Sequence, residues 1–484
     1  MKPPELTSSG HYIAWCASHA PGSTAIVREG SAVSYRRLAR HLARTVAWLK
    51  RSGIGPGMLV GTHLSRRYSQ LLIMLGCEVA GAASVALADT LSFDREILRH
   101  CDVLISDATP DMRDLPRIVE LSPDWLARLP SPPPDAVASL LERDIPPDEI
   151  VRVVRTSGTT GEPKAMPMTH KTWETRIDRV LDRLPPEILA APRSLCLYNF
   201  NIGASYMRVL GVLRRGGVVY FASASDLASL VGAGAVNDAF ITVGDVDNAL
   251  KAGLRAPAGH KMHFEVFGSA VSLRLRQQVR ARLNANMLNQ YASNEIYSIA
   301  QMDDDNVGTL YPGVEVRILD DDGNDVPPGQ LGRIRVRSET MVHEYFRDPT
   351  LTEACFIDGW FHTTDIGHAP AAGKLIVAGR ADDILNVGGV KVPPAPIEER
   401  IRLIEGVSDA AVLSVENDNG VGMLLVAVET ADPASFNQDE QISVIIKPYK
   451  RPFDLMAMPA FPRTDTAKVK RHEIAAEYQR SRGG

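Results

Sequence analysis

Short apolar runs of strand length alternate with helix-length amphipathic stretches through most of this chain. That alternation restricts it to an α/β architecture with partly parallel sheets. Leucine, alanine and valine recur at helical intervals over 34–49. A second helix is predicted over 71–79 and a strand over 83–88, on either side of a glycine. Between the two helices, Gly53-Ile54-Gly55-Pro56-Gly57 reads as a loop, and Met58-Leu59-Val60 as a short strand closed by Gly61. The turn Arg215-Gly216-Gly217 precedes a strand at Val218-Val219-Tyr220-Phe221. Phe240-Ile241-Thr242-Val243 and His263-Phe264-Glu265-Val266-Phe267 read as further strands, and 273–288 as a basic amphipathic helix.

The texture changes at Val314. Val314-Glu315-Val316-Arg317-Ile318-Leu319 and Gly332-Arg333-Ile334-Arg335-Val336-Arg337 alternate with period two around an Asp-rich turn. This predicts a small antiparallel β subdomain at about 310–380, with the arginines on a solvated face. The segment 381–484 reads as a separate α+β domain, with a helix over 396–404 and strands near 410–415 and 422–429. At 484 residues the chain exceeds one ordinary core. The expected organisation is a large N-terminal α/β region over 1–380, including the β subdomain, and a small C-terminal domain over 381–484.

A net charge of -5 gives no general reason to expect nucleic-acid binding. Five cysteines are scattered singly, without disulfide-framework density or zinc spacing. The longest apolar stretch, 71–88, is interrupted by Glu78 and reads as buried core rather than a membrane span. No basic segment with an apolar run behind it opens the chain. Cytoplasmic placement is the default expectation.

The run Thr156-Ser157-Gly158-Thr159-Thr160-Gly161-Glu162-Pro163-Lys164 directly follows the apolar-leaning Val151-Arg152-Val153-Val154-Arg155. Its glycines allow unusual backbone angles and close approach. Its amides and hydroxyls can donate to phosphate oxygens, and its lysine supplies positive charge. It lacks the spacing of the common P-loop. Taken alone, a flexible polar turn competes equally with a polyphosphate cradle.

Four later segments accompany it in order: Asn289-Gln290-Tyr291-Ala292-Ser293-Asn294-Glu295, Trp360-Phe361-His362-Thr363-Thr364-Asp365-Ile366-Gly367, Gly379-Arg380-Ala381-Asp382-Asp383-Ile384-Leu385-Asn386-Val387-Gly388-Gly389-Val390-Lys391, and Thr464-Asp465-Thr466-Ala467-Lys468. Together with the loop they resemble the signatures of the adenylate-forming superfamily, which includes acyl-CoA synthetases, carrier-loading adenylation enzymes and luciferases. The resemblance covers nearly the whole chain. It implies ATP and Mg2+ as cofactors, and CoA or a phosphopantetheine carrier as thiol acceptor.

By that resemblance, Thr156, Ser157, Gly158, Thr159, Thr160, Gly161 and Lys164 orient the β- and γ-phosphates, and Glu295 contacts magnesium. Tyr291 packs near adenine or forms part of the acyl-site floor, Asn294 borders the nucleotide, Asp365 accepts the ribose hydroxyls, and Arg380 meets ribose or phosphate. Lys468 enters the adenylation site, Asp382 occupies the hinge, and Gly389 lines the thiol path. Lys391 replaces a common arginine and keeps charge without a planar fork. The C-terminal domain is expected to be mobile. Each residue alone has a plain structural alternative: a surface ion pair, a helix cap or a packed aromatic.

Ala292, Thr364 and Ala467 stand where glycine is usual, and Asn294 where threonine is usual. The residues expected near the acyl group are 198–203 and 266–270. Asn201 lacks the charge that would pair with an α-ammonium, which disfavours an ordinary amino acid. The implied reaction is activation of a small carboxylic acid to acyl-AMP, then transfer to CoA. A discrete acyl or peptidyl carrier protein is the alternative acceptor, and a non-catalytic nucleotide-binding regulator ranks lower.

Overall fold

The computed structural model describes residues 7–88, 91–108, 116–131, 136–141, 144–155, 164–267, 271, 273–283, 285–387, 390–416, 422–463 and 469–482. Among them the strands form two large sheets, a hairpin and a three-stranded sheet.

The six-stranded sheet runs Arg117–Glu120, Val103–Ser106, Leu59–His63, Ala83–Ala86, Ile150–Arg155, Ala165–Thr169. Its first four pairings are parallel and the last is antiparallel. Strands Ile150–Arg155 and Ala165–Thr169, which flank the run 156–163 in sequence, are thus hydrogen-bonded neighbours, and Lys164 directly precedes the second. Helix Tyr35–Arg51 starts where Ser34 accepts from the amide of Arg37 at 3.3 Å, a side-chain N-cap. Leu38, Leu42, Val46 and Leu49 form its buried stripe. Helix Arg67–Ala80 is longer than the predicted 71–79 and ends at Gly81, whose φ of 89° few other residues adopt.

The fourteen-stranded sheet is parallel from Thr24–Arg28 through Val218–Phe221, Arg193–Cys196, Asp238–Thr242 and Met262–Phe267 to Ala285–Ser293. It then turns antiparallel through Tyr297–Met302, Gly308–Leu310, Lys374–Arg380, Trp360–His368, Gly332–Ser338 and Val314–Leu319. The β subdomain is thus hydrogen-bonded edge to edge with the parallel sheet, through Ala285–Ser293. The helix expected over 273–288 stops at Leu283, and Ala285–Ser293 is a strand. The strand expected to close at Gly61 runs on to His63.

A buried ionic group underlies the parallel sheet. Glu265 lies between Arg183 and Arg208, which also approaches Asp238. Burial raises the Glu265 carboxyl, but the two arginines outweigh it and hold it below the ordinary value.

In the C-terminal α+β domain, Asp409–Glu416, Gly422–Glu429 and Phe453–Met458 form a sheet. Alternate residues face two cores. Ala410 and Val412 pack with helices Pro394–Ile401 and Asp439–Ile446, whereas Ala411, Leu413 and Val415 pack with Ile474 and Tyr478 of helix Arg471–Arg482. Period-two alternation with apolar residues on both faces makes this a central layer. No helix among the described residues is long and apolar enough to cross a membrane.

Candidate active site

The turn that joins the last parallel strand to the antiparallel strands carries Glu295. Ile296 donates its amide to Ser293 Oγ at 3.2 Å, and Tyr297 takes a φ of 81°. A bulky residue in that region is a backbone outlier, which surrounding contacts must hold in place. Arg183 donates to the Tyr297 hydroxyl at 2.8 Å, and Val342 donates its amide to the Glu295 carbonyl at 2.9 Å.

Glu295 is 9% exposed. Tyr345 donates its hydroxyl to Glu295 Oε1 at 2.9 Å. Burial and then the Glu295 charge push the Tyr345 phenol well above its ordinary range. Lys164 Nζ lies 5.1 Å from the centre of the Tyr345 ring, within cation–π range. Phe346 donates its amide to the Ala165 carbonyl at 2.8 Å, which docks this segment beside the strand that Lys164 enters. Lys164, Tyr345 and Glu295 therefore form one chain of contacts. Glu295 Oε2 has no hydrogen bond or ion pair among the described residues. One hard carboxylate oxygen left free suits magnesium, which takes few protein oxygens and keeps several waters.

The second group sits on adjacent strands. Asp365 and Arg380 are direct partners across Trp360–His368 and Lys374–Arg380. Tyr291 donates its hydroxyl to Asp365 Oδ2 at 2.5 Å. Burial raises the Asp365 carboxyl above its ordinary value; Tyr291 and Arg380 oppose this, while Glu295 and Asp383 add to it. Thr363 Oγ1 accepts the Asp365 amide at 3.1 Å and donates to the Ile334 carbonyl at 2.8 Å. Gly367, two residues on, lies at a shift in strand register. A Cβ there would fall far inside contact with the Ile376 carbonyl and 2.8 Å from Ile334 Cδ1, so the motif's glycine has a steric reason. Thr364 has a use of its own, because its hydroxyl accepts from Arg380 at 3.2 Å.

The structure thus brings Lys164, Tyr291, Glu295, Asp365 and Arg380 into two linked groups. Asn294 is exposed beside Glu295. Asp382 is exposed in the short turn Ala381–Asp383, between strand Lys374–Arg380 and the hairpin Leu385–Val387/Val390–Val392. Lys391, on that hairpin, is exposed and donates to Asp321 Oδ2 at 3.0 Å. In this arrangement its charge is directed to the Asp-rich turn of the β subdomain, not to the Asp365–Arg380 pair. Thr156, Ser157, Gly158, Thr159, Thr160, Gly161, Gly389 and Lys468 lie outside the described residues.

An aromatic group marks the carboxyl ends of three parallel strands, where α/β sheets place their ligands. Phe240 and Phe267 stack at 4.1 Å, and Tyr198 meets Phe267 edge-on at 5.1 Å. Tyr198 is anchored by donating to Asp245 Oδ2 at 2.5 Å. Asn201 accepts the amide of Ile202 at 3.0 Å, a local backbone role.

Tyr345 and Arg176 were not among the residues expected at the site. Arg176 had a readable signal: it shares a helical stripe with Trp173, Ile177 and Val180, and a cation on an apolar stripe needs buried partners. Tyr345 lies in an irregular segment between a strand and a helix, where periodicity carries no information.

The family described as AMP-binding enzyme matches residues 13–346. The chain is 26% identical to a 3-hydroxybenzoate/4-hydroxybenzoate–CoA ligase of Thauera aromatica, over 93% of each chain. It is 24% identical to a fatty acid–[acyl-carrier-protein] ligase of Streptomyces coeruleorubidus, over 98% of this chain and 97% of the relative. Its fold matches apo MatB from Rhodopseudomonas palustris with a TM-score of 0.82 at 20% identity, covering 98% and 99% of the two chains.

Proposed function

From the premise that this chain belongs to the AMP-binding, adenylate-forming enzyme superfamily, we propose that it is an ATP-dependent acid–thiol ligase. A carboxylate oxygen of the substrate attacks the α-phosphorus of ATP, and the bond to pyrophosphate breaks with its electron pair leaving on pyrophosphate. The CoA sulfur then attacks the acyl carbon of the acyl-AMP. AMP departs with the electrons of the acyl–oxygen bond, and the thiol proton goes to solvent.

The observation that carries this reading is the linked geometry of Lys164–Tyr345–Glu295 and Tyr291–Asp365–Arg380. An ionised Asp365 accepts from two ribose hydroxyls, which a donor residue cannot do. Arg380 faces the ribose or phosphate side. Lys164, with Thr156, Ser157, Gly158, Thr159, Thr160 and Gly161, stabilises the leaving pyrophosphate. Glu295, with Asn294 beside it, is our choice for holding magnesium, which supplies charge neutralisation between phosphate oxygens. Lys468 addresses the reacting centre. Asp382 acts as the hinge between 1–380 and a mobile 381–484, and Gly389 and Lys391 approach the incoming thiol or its phosphates in the second geometry.

For the acid, the wall of Tyr198, Phe240 and Phe267 supports a planar aromatic group, and the relative acting on hydroxybenzoates agrees. The carrier-protein acceptor is the second reading, favoured by the relative that loads an acyl-carrier protein. We place the enzyme in the cytoplasm, on the strength of five free thiols, four of them buried.

The test is acid-dependent pyrophosphate exchange across aromatic and aliphatic acids, followed by CoA and phosphopantetheinylated carriers as acceptors. Exchange with an aromatic acid that is lost in K468A, while ATP still binds, is the expected result. Tight ATP binding without exchange for any acid would favour the regulatory reading. Product found only on a carrier would overturn CoA.

A further inference from the structure

Helix His170–Asp182 begins directly after strand Ala165–Thr169, the strand that Lys164 enters. Its residue Arg176 is 2% exposed. A guanidinium so deeply buried normally faces a carboxylate. Among the described residues Arg176 forms no ion pair. All three of its hydrogen bonds go to backbone carbonyls: Nε to Thr340 at 2.8 Å, Nη1 to Asn294 at 3.0 Å and Nη2 to Glu295 at 3.0 Å.

These carbonyls belong to two segments that are far apart in sequence and meet at the site. Asn294 and Glu295 form the turn that presents the Glu295 carboxylate. Thr340 precedes the segment whose Val342 amide and Tyr345 hydroxyl both bind Glu295. The guanidinium also lies 5.8 Å from the ring of Tyr297, the residue with positive φ. One planar donor set therefore clamps both backbones that orient Glu295, and the helix bearing it follows the strand that Lys164 enters. Methionine would fill the volume but leave the Thr340 and Asn294 carbonyls without a donor and the Glu295 carbonyl with the Val342 amide alone. Lysine keeps the charge but loses the fork.

We propose that Arg176 is a positioning residue for adenylation: by holding the carbonyls of Asn294, Glu295 and Thr340 it sets the Glu295 carboxylate and the Tyr345 hydroxyl in register with Lys164, and so sets the site's affinity for magnesium–ATP. This rests on the adenylating reading given above.

The experiment compares R176M, R176Q and R176K with wild type and with R214M. Arg214 is equally buried but bonds Ser9 and Glu174. Hydrogen exchange is followed over 290–297 and 340–346 in the free protein, and ATP binding is measured by calorimetry as magnesium is varied. Both readouts are independent of turnover. Loss of acid-dependent exchange in wild type would sink the enzyme reading without touching this measurement. In R176M and R176Q the magnesium concentration for half-maximal ATP binding should rise about tenfold or more, with faster hydrogen exchange at 290–297. R176K should fall between, and R214M should lose stability while keeping the wild-type magnesium requirement. The proposal is overturned if R176M or R176Q keeps both the magnesium requirement and the 290–297 protection of wild type, or if R214M shifts both equally. Should R176M and R176Q fail to fold, wild-type protection in R176K overturns it and increased exchange there supports it.

Discussion

Removing one oxygen from Tyr291 should weaken ATP binding through a carboxylate that the oxygen never leaves. In Y291F the ring stays and its packing with it. What is lost is the 2.5 Å bond to Asp365 Oδ2. A hydrogen bond to a charged group contributes roughly 1.5–3 kcal/mol, equivalent to about a tenfold to hundredfold change in an equilibrium constant. The consequence has a direction. Burial raises the Asp365 carboxyl; Tyr291 and Arg380 oppose that rise, and Glu295 and Asp383 reinforce it. Without the phenol only Arg380 still opposes, so the carboxyl rises further and is protonated over a wider range of pH. A protonated Asp365 is a poorer acceptor for two ribose hydroxyls. Calorimetric ATP affinity should therefore fall roughly tenfold or more in Y291F, and the acid limb of its pH profile should move to higher pH. The stability of the free protein gives the sign independently. An acid that is weaker when folded than unfolded costs stability as pH rises from 3.8, its ordinary value, through its folded value. Y291F should extend that decline upward. Wild-type affinity with an unmoved acid limb would refute the argument, as would tighter binding, because Asp365 would then need no donor behind it.

Three other perturbations probe different parts of the framework. E265Q removes the carboxylate between Arg183 and Arg208 and should cost about 3–5 kcal/mol by leaving two buried cations without it; a denaturant midpoint equal to wild type would contradict this. G367A drives a methyl into the Ile376 carbonyl and Ile334, so it should lose about 1–3 kcal/mol and weaken ATP binding through the Asp365 strand, to be read by thermal melting alongside calorimetry. His41 is held down to about 4 by burial and by Arg37, Arg44 and Arg28. The unfolded chain binds its proton first, so stability should fall as pH drops from 6.5 toward about 4. H41Q should flatten that slope, and an unchanged slope would count against the assignment.

What could be read from the chain, and what could not, divides along the range of the interaction. Val218–Phe221 and Val314–Leu319 are strands at the residues expected, because apolar period and turn chemistry act over a few neighbours. The same local range makes the helical pattern of 273–283 run on to 288: Ala285, Met287 and Leu288 continue an apolar pattern that fits a helix as well as it fits a strand. Only pairing with Met262–Phe267 decides between them. The β subdomain was legible as a unit, but its continuity with the parallel sheet was not, since register between distant strands leaves no local mark. The site follows the same division. Lys164, Glu295, Asp365 and Arg380 are legible as candidates because each sits in a compact motif. Tyr345 and Arg176 act through partners 50 to 164 residues away, and their roles exist only in the folded contacts. A buried arginine is the exception that sequence can flag. Trp173, Arg176, Ile177 and Val180 place a permanent charge on an apolar stripe, and an interior position obliges that charge to find acceptors somewhere. The stripe says that partners must exist; the fold identifies them as the carbonyls around Glu295. Legibility of a functional residue thus depends less on its chemistry than on whether its partners are near it in the chain.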